Sequence, residues 1–249
     1  MQESAVKLVE KCLTDTASRA IRVACGRRQL GAGVPGGAQI ALEAIRAATS
    51  HPDAEEVLST DIKNAVGAVY KERVLRSCAK RCPQLLPYLL SSWRREGTLM
   101  YTQGPRGAWE TNRSRRGIPQ GGPLSDKLYA IAFEDILEDA KLDQIGARLC
   151  YADDLTFWSK RGGCAKAWPG LLEACKKGGL EMNIGKCHAW RPHAPNGASE
   201  VVPGVFGEPS LVILGSEMHD DQEVVLGAAG KISPLPNERR RHADLPLQL

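Results

Sequence analysis

The sequence lacks the marks of several protein classes. No apolar run reaches the ~18 residues that a membrane span needs. The opening MQESAVKLVEKC is charged and amphipathic, so it does not read as a secretory signal. There are eight cysteines (Cys12, Cys25, Cys78, Cys82, Cys150, Cys164, Cys175 and Cys187) but no CxxC pair, which leaves no zinc-knuckle or redox signature. No internal repeat is visible. Without an export signal, the expected setting is intracellular, nuclear or cytoplasmic, with reduced thiols. What is present is ordinary for a globular chain: 249 residues, 43% hydrophobic and 25% charged. That is enough chain for a real core in one or two domains, and it excludes disorder over the whole length.

The net charge is only +4, but its distribution is uneven. From Lys71 to Arg116 there are eleven Lys and Arg against three acids, Glu72, Glu96 and Glu110. From Glu134 to Asp154 the balance reverses, with Glu134, Asp135, Glu138, Asp139, Asp143, Asp153 and Asp154. A basic stretch tracks a phosphate backbone and an acidic one holds divalent cations. The plainer alternative is a pair of solvated helix faces.

Apolar spacing predicts helices over 4–24, 38–48, 70–81 and 84–94, the last two separated by Pro83. Further helices are expected after Pro123 and from about Cys164 to Lys177. GAGVPGG at 31–37 is a loop, and EEVLSTDIKNAV reads as a buried strand ending near Asp61. Residues 98–112 suggest a hairpin turning at Gly104-Pro105. ARLCYADDLTFW reads as two strands joined across Ala152-Asp153, and short strands are expected near Lys186–Trp190 and Leu211–Leu214. From Gly227 onward the chain turns irregular, which predicts a poorly ordered tail over 227–249.

Asp153 and Asp154 are the costly feature. Two adjacent carboxylates repel one another, while Leu149, Tyr151, Leu155, Phe157 and Trp158 pull their turn toward a core. A hard divalent cation with oxygen ligands is the natural counter-charge. Mg²⁺ typically takes one or two carboxylates and leaves positions for water and substrate phosphates, the arrangement of a two-metal phosphoryl-transfer site. A third carboxylate on a neighbouring strand would bridge the ions, and Asp61 stands where the VLSTDI strand ends. The plain alternatives are a helix N-cap for Asp61 and a polar hairpin turn for Asp153-Asp154.

Taken in order, KLVEKCL with QLGAGVPGG, then STDIKNAV, RGIPQGGPLS, YADD, GLEMNIGKC and LVILG resemble the blocks of the reverse transcriptase family, most closely the non-LTR retrotransposon type. The resemblance covers about Lys7 to Met218. It implies an α+β, right-hand polymerase palm with partial fingers over 1–226 and a largely missing thumb. It implies an RNA-directed DNA polymerase, a nucleotidyltransferase extending a DNA primer on an RNA template with deoxynucleoside triphosphates and two Mg²⁺ ions, with Mn²⁺ as a substitute. Asp61 and Asp153 then stand as shared metal ligands, Asp154 as their neighbour, and the Ile62 carbonyl as a further ligand. Lys186 takes the position of the proton donor to pyrophosphate. Gln120, Gly121 and Gly122 support the templating base pair, where glycine lets the backbone approach closely. Leu214 and Gly215 hold the primer end. Arg115 and Arg116, with Arg94, Arg95 and Arg113, contact template or primer phosphates, which sets position and affinity without reading sequence.

The sequence departs from the family in two places. Val66, five residues after Asp61, stands where the family usually carries Phe or Tyr against the sugar. Valine leaves room for a 2′-hydroxyl, so discrimination against ribonucleotides is expected to weaken. The chain also begins within the fingers, shows no helical thumb pattern after Gly227, and identifies no triphosphate clamp beyond Arg27 and Arg28. No endonuclease region or Cys/His nucleic-acid module is read in it. The alternatives are a catalytically silent retroelement remnant, or a relative from another branch such as a maturase, a retron enzyme or an RNA-templated RNA polymerase. The last usually has glycine where Ala152 stands. A small α+β domain whose YADD turn binds a structural cation is the reading from outside the polymerases.

Overall fold

The computed structural model describes residues 4–93, 99–103, 109–113, 116–192 and 199–218. The chain runs α1 (Ser4–Thr16), α2 (Ser18–Ala24), α3 (Gly37–Thr49), β1 (Glu56–Thr60), α4 (Ala65–Ala68), α5 (Lys71–Arg81) and α6 (Leu86–Trp93). It continues through β2 (Leu99–Gln103), β3 (Trp109–Arg113), α7 (Ser125–Asp139), β4 (Ala147–Tyr151), β5 (Asp154–Ser159) and α8 (Gly163–Gly178). Short strands follow: β6 (His188–Trp190), β7 (Glu200–Val202), β8 (Val205–Glu208), β9 (Leu211–Ile213) and β10 (Ser216–Met218). The expected tail at 227–249 lies outside the described residues, as does the Gly104-Pro105 turn.

Six strands form one sheet in the order β4-β5-β1-β6-β8-β7. All neighbours are antiparallel except β6 and β8. The period of two along each strand assigns its two faces. Leu58, Cys150, Leu155, Phe157 and Ala189 turn to one side and join the main core with α7 and α8. Val57, Leu149 and Trp190 turn to the other, where α3 and the β9–β10 hairpin cover them through Leu42, Ile45, Leu211 and Ile213. Ser59, Tyr151, Asp154, Thr156 and His188 share this second face, so it continues as a polar surface beyond its apolar cover.

Several expectations need revision in detail. The helix over 4–24 is two helices, broken at Ala17 (φ −101°). The hydrogen bonding carries through, since Ala17 N–H donates to Leu13 C=O and Ile21 N–H to Ala17 C=O, both at 2.9 Å. Lys186 belongs to a 3-10 turn, Ile184–Lys186, and not to the strand after it. The strands β7 and β8 add to the expected ones, with Pro203 and Gly204 between them.

Part of the basic stretch answers the acidic one. Arg73 on α5 reaches Asp135 (2.8 Å) and Asp139 (2.7 Å) on α7, and Lys80 reaches Asp135 (2.7 Å) and Glu138 (3.1 Å). Arg81 pairs with Glu138, and Ser77 Oγ donates to Asp135 at 3.0 Å. Neither a phosphate track nor a cation site is built from these residues. Deeper in, Arg148 of β4 makes a bidentate pair with Glu134 of α7 (2.8 and 3.0 Å) and bonds Asp143 at 3.2 Å. Arg28 also pairs with Asp143, so it is already engaged as an ion pair.

Candidate active site

The three acidic residues converge at one end of the sheet. β1 and β5 pair with Ser59 opposite Thr156 and Thr60 opposite Leu155. Carried one residue further, that register sets Asp61 opposite Asp154 on the same face. Asp154 opens β5, and Asp153 is the second residue of the two-residue turn between Tyr151 and Asp154. Burial, then the charges of Asp153 and Asp61, push the Asp154 carboxyl above its ordinary range. Among the described residues, no lysine, arginine or histidine forms an ion pair with any of the three. Among the described residues, no group of three or more His, Cys, Asp and Glu side chains stands arranged to hold a metal ion.

Asp61 is fixed by the segment after α8. Asn183 N–H donates to Asp61 C=O, and its side-chain Nδ2 donates to Asp61 Oδ2, both at 2.9 Å. Lys63 N–H donates to Glu181 C=O at 2.9 Å, which completes an antiparallel bridge between Ile62 and Met182. Ile62 takes the non-hydrogen-bonded position of that bridge, so the bridge leaves its carbonyl uncommitted. Sequence reasoning missed Asn183, although it lies inside the GLEMNIGKC block.

A cleft of ≈ 230 Å³ opens on this face. Asp61, Asp154, Lys186 and Leu214 line it, together with Ser59, Tyr151, Thr156 and His188. Lys186 is exposed at its edge. His188, unanticipated, shares a 2.7 Å hydrogen bond with Glu208. Leu214 and Gly215 form the two-residue turn of the β9–β10 hairpin, with φ of 49° and 77°, the left-handed pair that a type I′ turn requires.

The remaining predicted residues lie outside the cleft lining. Val66 is half-buried, and its carbonyl accepts from Ile118 N–H at 2.9 Å. Gly117 N–H donates to Val69 C=O at 2.8 Å, so the glycine loop is stitched to the segment after Asp61. Within the loop, Ser125 Oγ donates to Pro119 C=O (2.5 Å) and accepts from Gly122 N–H (3.2 Å). Gln120 and Gly121 are exposed, and Gly121 (φ +85°) faces open space. Arg116 lies 4.8 Å over the Tyr70 ring. Arg94, Arg95 and Arg115 lie outside the described residues, as does the Arg113 side chain.

A family model, reverse transcriptase (RNA-dependent DNA polymerase), matches residues 6–218. The chain belongs to the reverse transcriptase family. No curated protein matches it by sequence. Solved structures of similar fold include apo telomerase from Candida tropicalis, with a TM-score of 0.65 and 11% identity over 89% of this chain and 41% of that one. Telomerase from Candida albicans in complex with a TWJ fragment of telomeric RNA gives 0.56 and 14%, over 92% and 38%. The Candida tropicalis enzyme with the same kind of RNA gives 0.64 and 11%, over 88% and 37%. At such identities the likeness shows the fold alone. The chain spans about two fifths of the length of these proteins. The expected α+β reverse transcriptase fold is the one found.

Proposed function

We propose that the chain is the RNA-directed DNA polymerase core of a non-LTR retrotransposon, extending a DNA primer on an RNA template by two-metal nucleotidyl transfer. The observation that carries the reading is that Asp61 and Asp154 line one cleft, at the end of the β1–β5 register and beside the turn that holds Asp153. The donor set fits hard divalent cations. It offers carboxylate oxygens, an uncommitted Ile62 carbonyl, and a negative charge that no described side chain neutralises. An open site of this kind leaves room for substrate phosphates, unlike a closed structural cage.

Asp61, Asp153, Asp154 and the Ile62 carbonyl would hold the ions. Bound there, Mg²⁺ or Mn²⁺ supplies Lewis-acid activation of the attacking hydroxyl and neutralises charge at the departing pyrophosphate. Asn183 keeps the Asp61 carboxylate aimed at the cleft. Lys186, on the cleft edge, offers an ammonium proton to the leaving group. Gln120 and Gly121 present an open backbone to the templating base pair, and Leu214 with Gly215 abuts the primer end. Arg116 and Arg115 add sequence-independent phosphate contacts. Segments 1–226 and 227–249 are read as the fingers-palm unit and an irregular tail.

Primer extension with wild type and Asp153→Ala tests the reading. Wild-type extension reduced ~10²-fold or more by the substitution is expected. Equal signals from both proteins, or none from either, would favour the catalytically silent remnant.

A further inference from the structure

The turn that carries Asp153 and Asp154 is not self-supporting. Its first residue, Ala152, has φ +56°, a left-handed conformation that L-residues with a Cβ seldom adopt. Something must hold it there, and the holder comes from far away in the chain. Gln29 lies in the loop after α2 and is 1% exposed. Its side-chain Oε1 accepts from Ala152 N–H and from Gly31 N–H, and its Nε2 donates to Ala152 C=O, each at 2.9 Å. One carboxamide thus satisfies both backbone polar groups of the strained residue.

The Gln29 backbone is locked on both sides. Cys150 N–H donates to Arg28 C=O and Leu30 N–H donates to Cys150 C=O, both at 2.8 Å. Arg22 donates to Gln29 C=O at 2.6 Å. Gly31 completes the clamp, because a Cβ there would stand 2.0 Å from the Ala152 nitrogen. The loop can approach the turn this closely only with glycine at that position.

We infer that Gln29 is a positioning residue: by holding Ala152 left-handed, its amide sets where Asp153 and Asp154 present their oxygens toward Asp61. The inference rests on the metal-dependent polymerase reading above and deepens it. Gln29 itself touches neither the cleft nor the carboxylates.

The test uses Mn²⁺ binding, followed by electron paramagnetic resonance of the free ion, on wild type, Gln29→Met, Gln29→Met with Ala152→Gly, and Asp154→Asn. Melting curves establish that each variant is folded. The account expects Gln29→Met to bind Mn²⁺ at least tenfold more weakly. It expects Ala152→Gly to restore part of that loss, since glycine adopts the left-handed turn without a side-chain clash. A general loss of stability would lower the melting temperature but leave the Mn²⁺ affinity of the folded protein unchanged, so affinity is compared at a temperature where every variant is folded. Where Gln29→Met alone does not fold, the double variant against wild type carries the comparison. Wild-type affinity retained in Gln29→Met, or a loss that Ala152→Gly leaves untouched, overturns the positioning role alone. Wild type showing no Mn²⁺ site sensitive to Asp154→Asn overturns the polymerase reading, and the positioning role with it.

Discussion

At Asp154, burial and the charges of Asp153 and Asp61 act in the same direction and push the carboxyl up. The native pKa of this acid lies above its unfolded value, so its ionised form destabilises the fold. The penalty is absent at low pH and grows as pH rises through the native pKa. Asp154→Asn is therefore expected to melt at a higher temperature than wild type near neutral pH without divalent ions, while polymerase activity is lost. Added Mg²⁺ should raise the melting temperature of wild type more than that of the variant. A variant that melts lower in the absence of metal would contradict this account. Val66 gives a second residue-scale expectation. With valine in place of an aromatic ring, wild type should incorporate GTP at an appreciable rate beside dGTP, and Val66→Phe should suppress GTP selectively. Strict deoxynucleotide preference in wild type would refute it. At this scale the sequence was most informative where chemistry is expensive: adjacent Asp153 and Asp154 announce themselves by their repulsion. Gln29 and Asn183 do not, because their roles are hydrogen bonds to residues more than a hundred positions away. A neutral amide carries no signature of its partner.

Between elements, the bidentate pair of Arg148 with Glu134 ties the strand that leads into the Asp153 turn to α7. The Arg148 side chain is 1% exposed. Arg148→Met strands the Glu134 charge in the core and is expected to cost ~3–5 kcal/mol, read by chemical denaturation. Pairing it with Glu134→Leu should recover much of the loss; an undiminished loss in the double variant would count against the pairing argument. The α5–α7 interface makes a pH prediction. Burial raises the Asp135 carboxyl, but hydrogen bonds from Lys80 and Ser77 and the charges of Arg73 and Lys80 outweigh it, leaving the group below its usual range. Its contribution is complete above the unfolded carboxylate pKa of about 4 and fades as pH falls through the lower native value. Between these limits Asp135→Asn should lose less stability on acidification than wild type, measured as melting temperature against pH. These pairings also mark where composition misleads. Basic and acidic runs sixty residues apart look like two separate binding faces until α5 is seen against α7. Elements with clear periodicity, such as β1, β4, β5 and α7, were legible from sequence. Strands of three or four residues interrupted by Pro203 and Gly204 carry too little pattern to show.

Over the whole molecule, the sheet separates structure from function by face. One side is sealed by α7 and α8, and the other is only partly covered by α3 and the β9–β10 hairpin, leaving the cleft that holds Asp61, Asp154 and Lys186. Burial of a large side chain such as Phe157 contributes ~1.5–3 kcal/mol, which lets the sealed side offset clustered carboxylates on the open one. The same division explains why family and fold were readable from ordered blocks, since STDIKNAV, YADD, GLEMNIGKC and LVILG each contribute to the lining of that cleft. The central claim is that Asp61, Asp153 and Asp154 act together as a metal-dependent polymerase centre. Primer extension on poly(rA) with oligo(dT), dTTP and Mg²⁺ tests it most directly, with Asp153→Ala as control. The account predicts extension that requires RNA template and metal and that disappears in the variant; extension surviving in Asp153→Ala would contradict it.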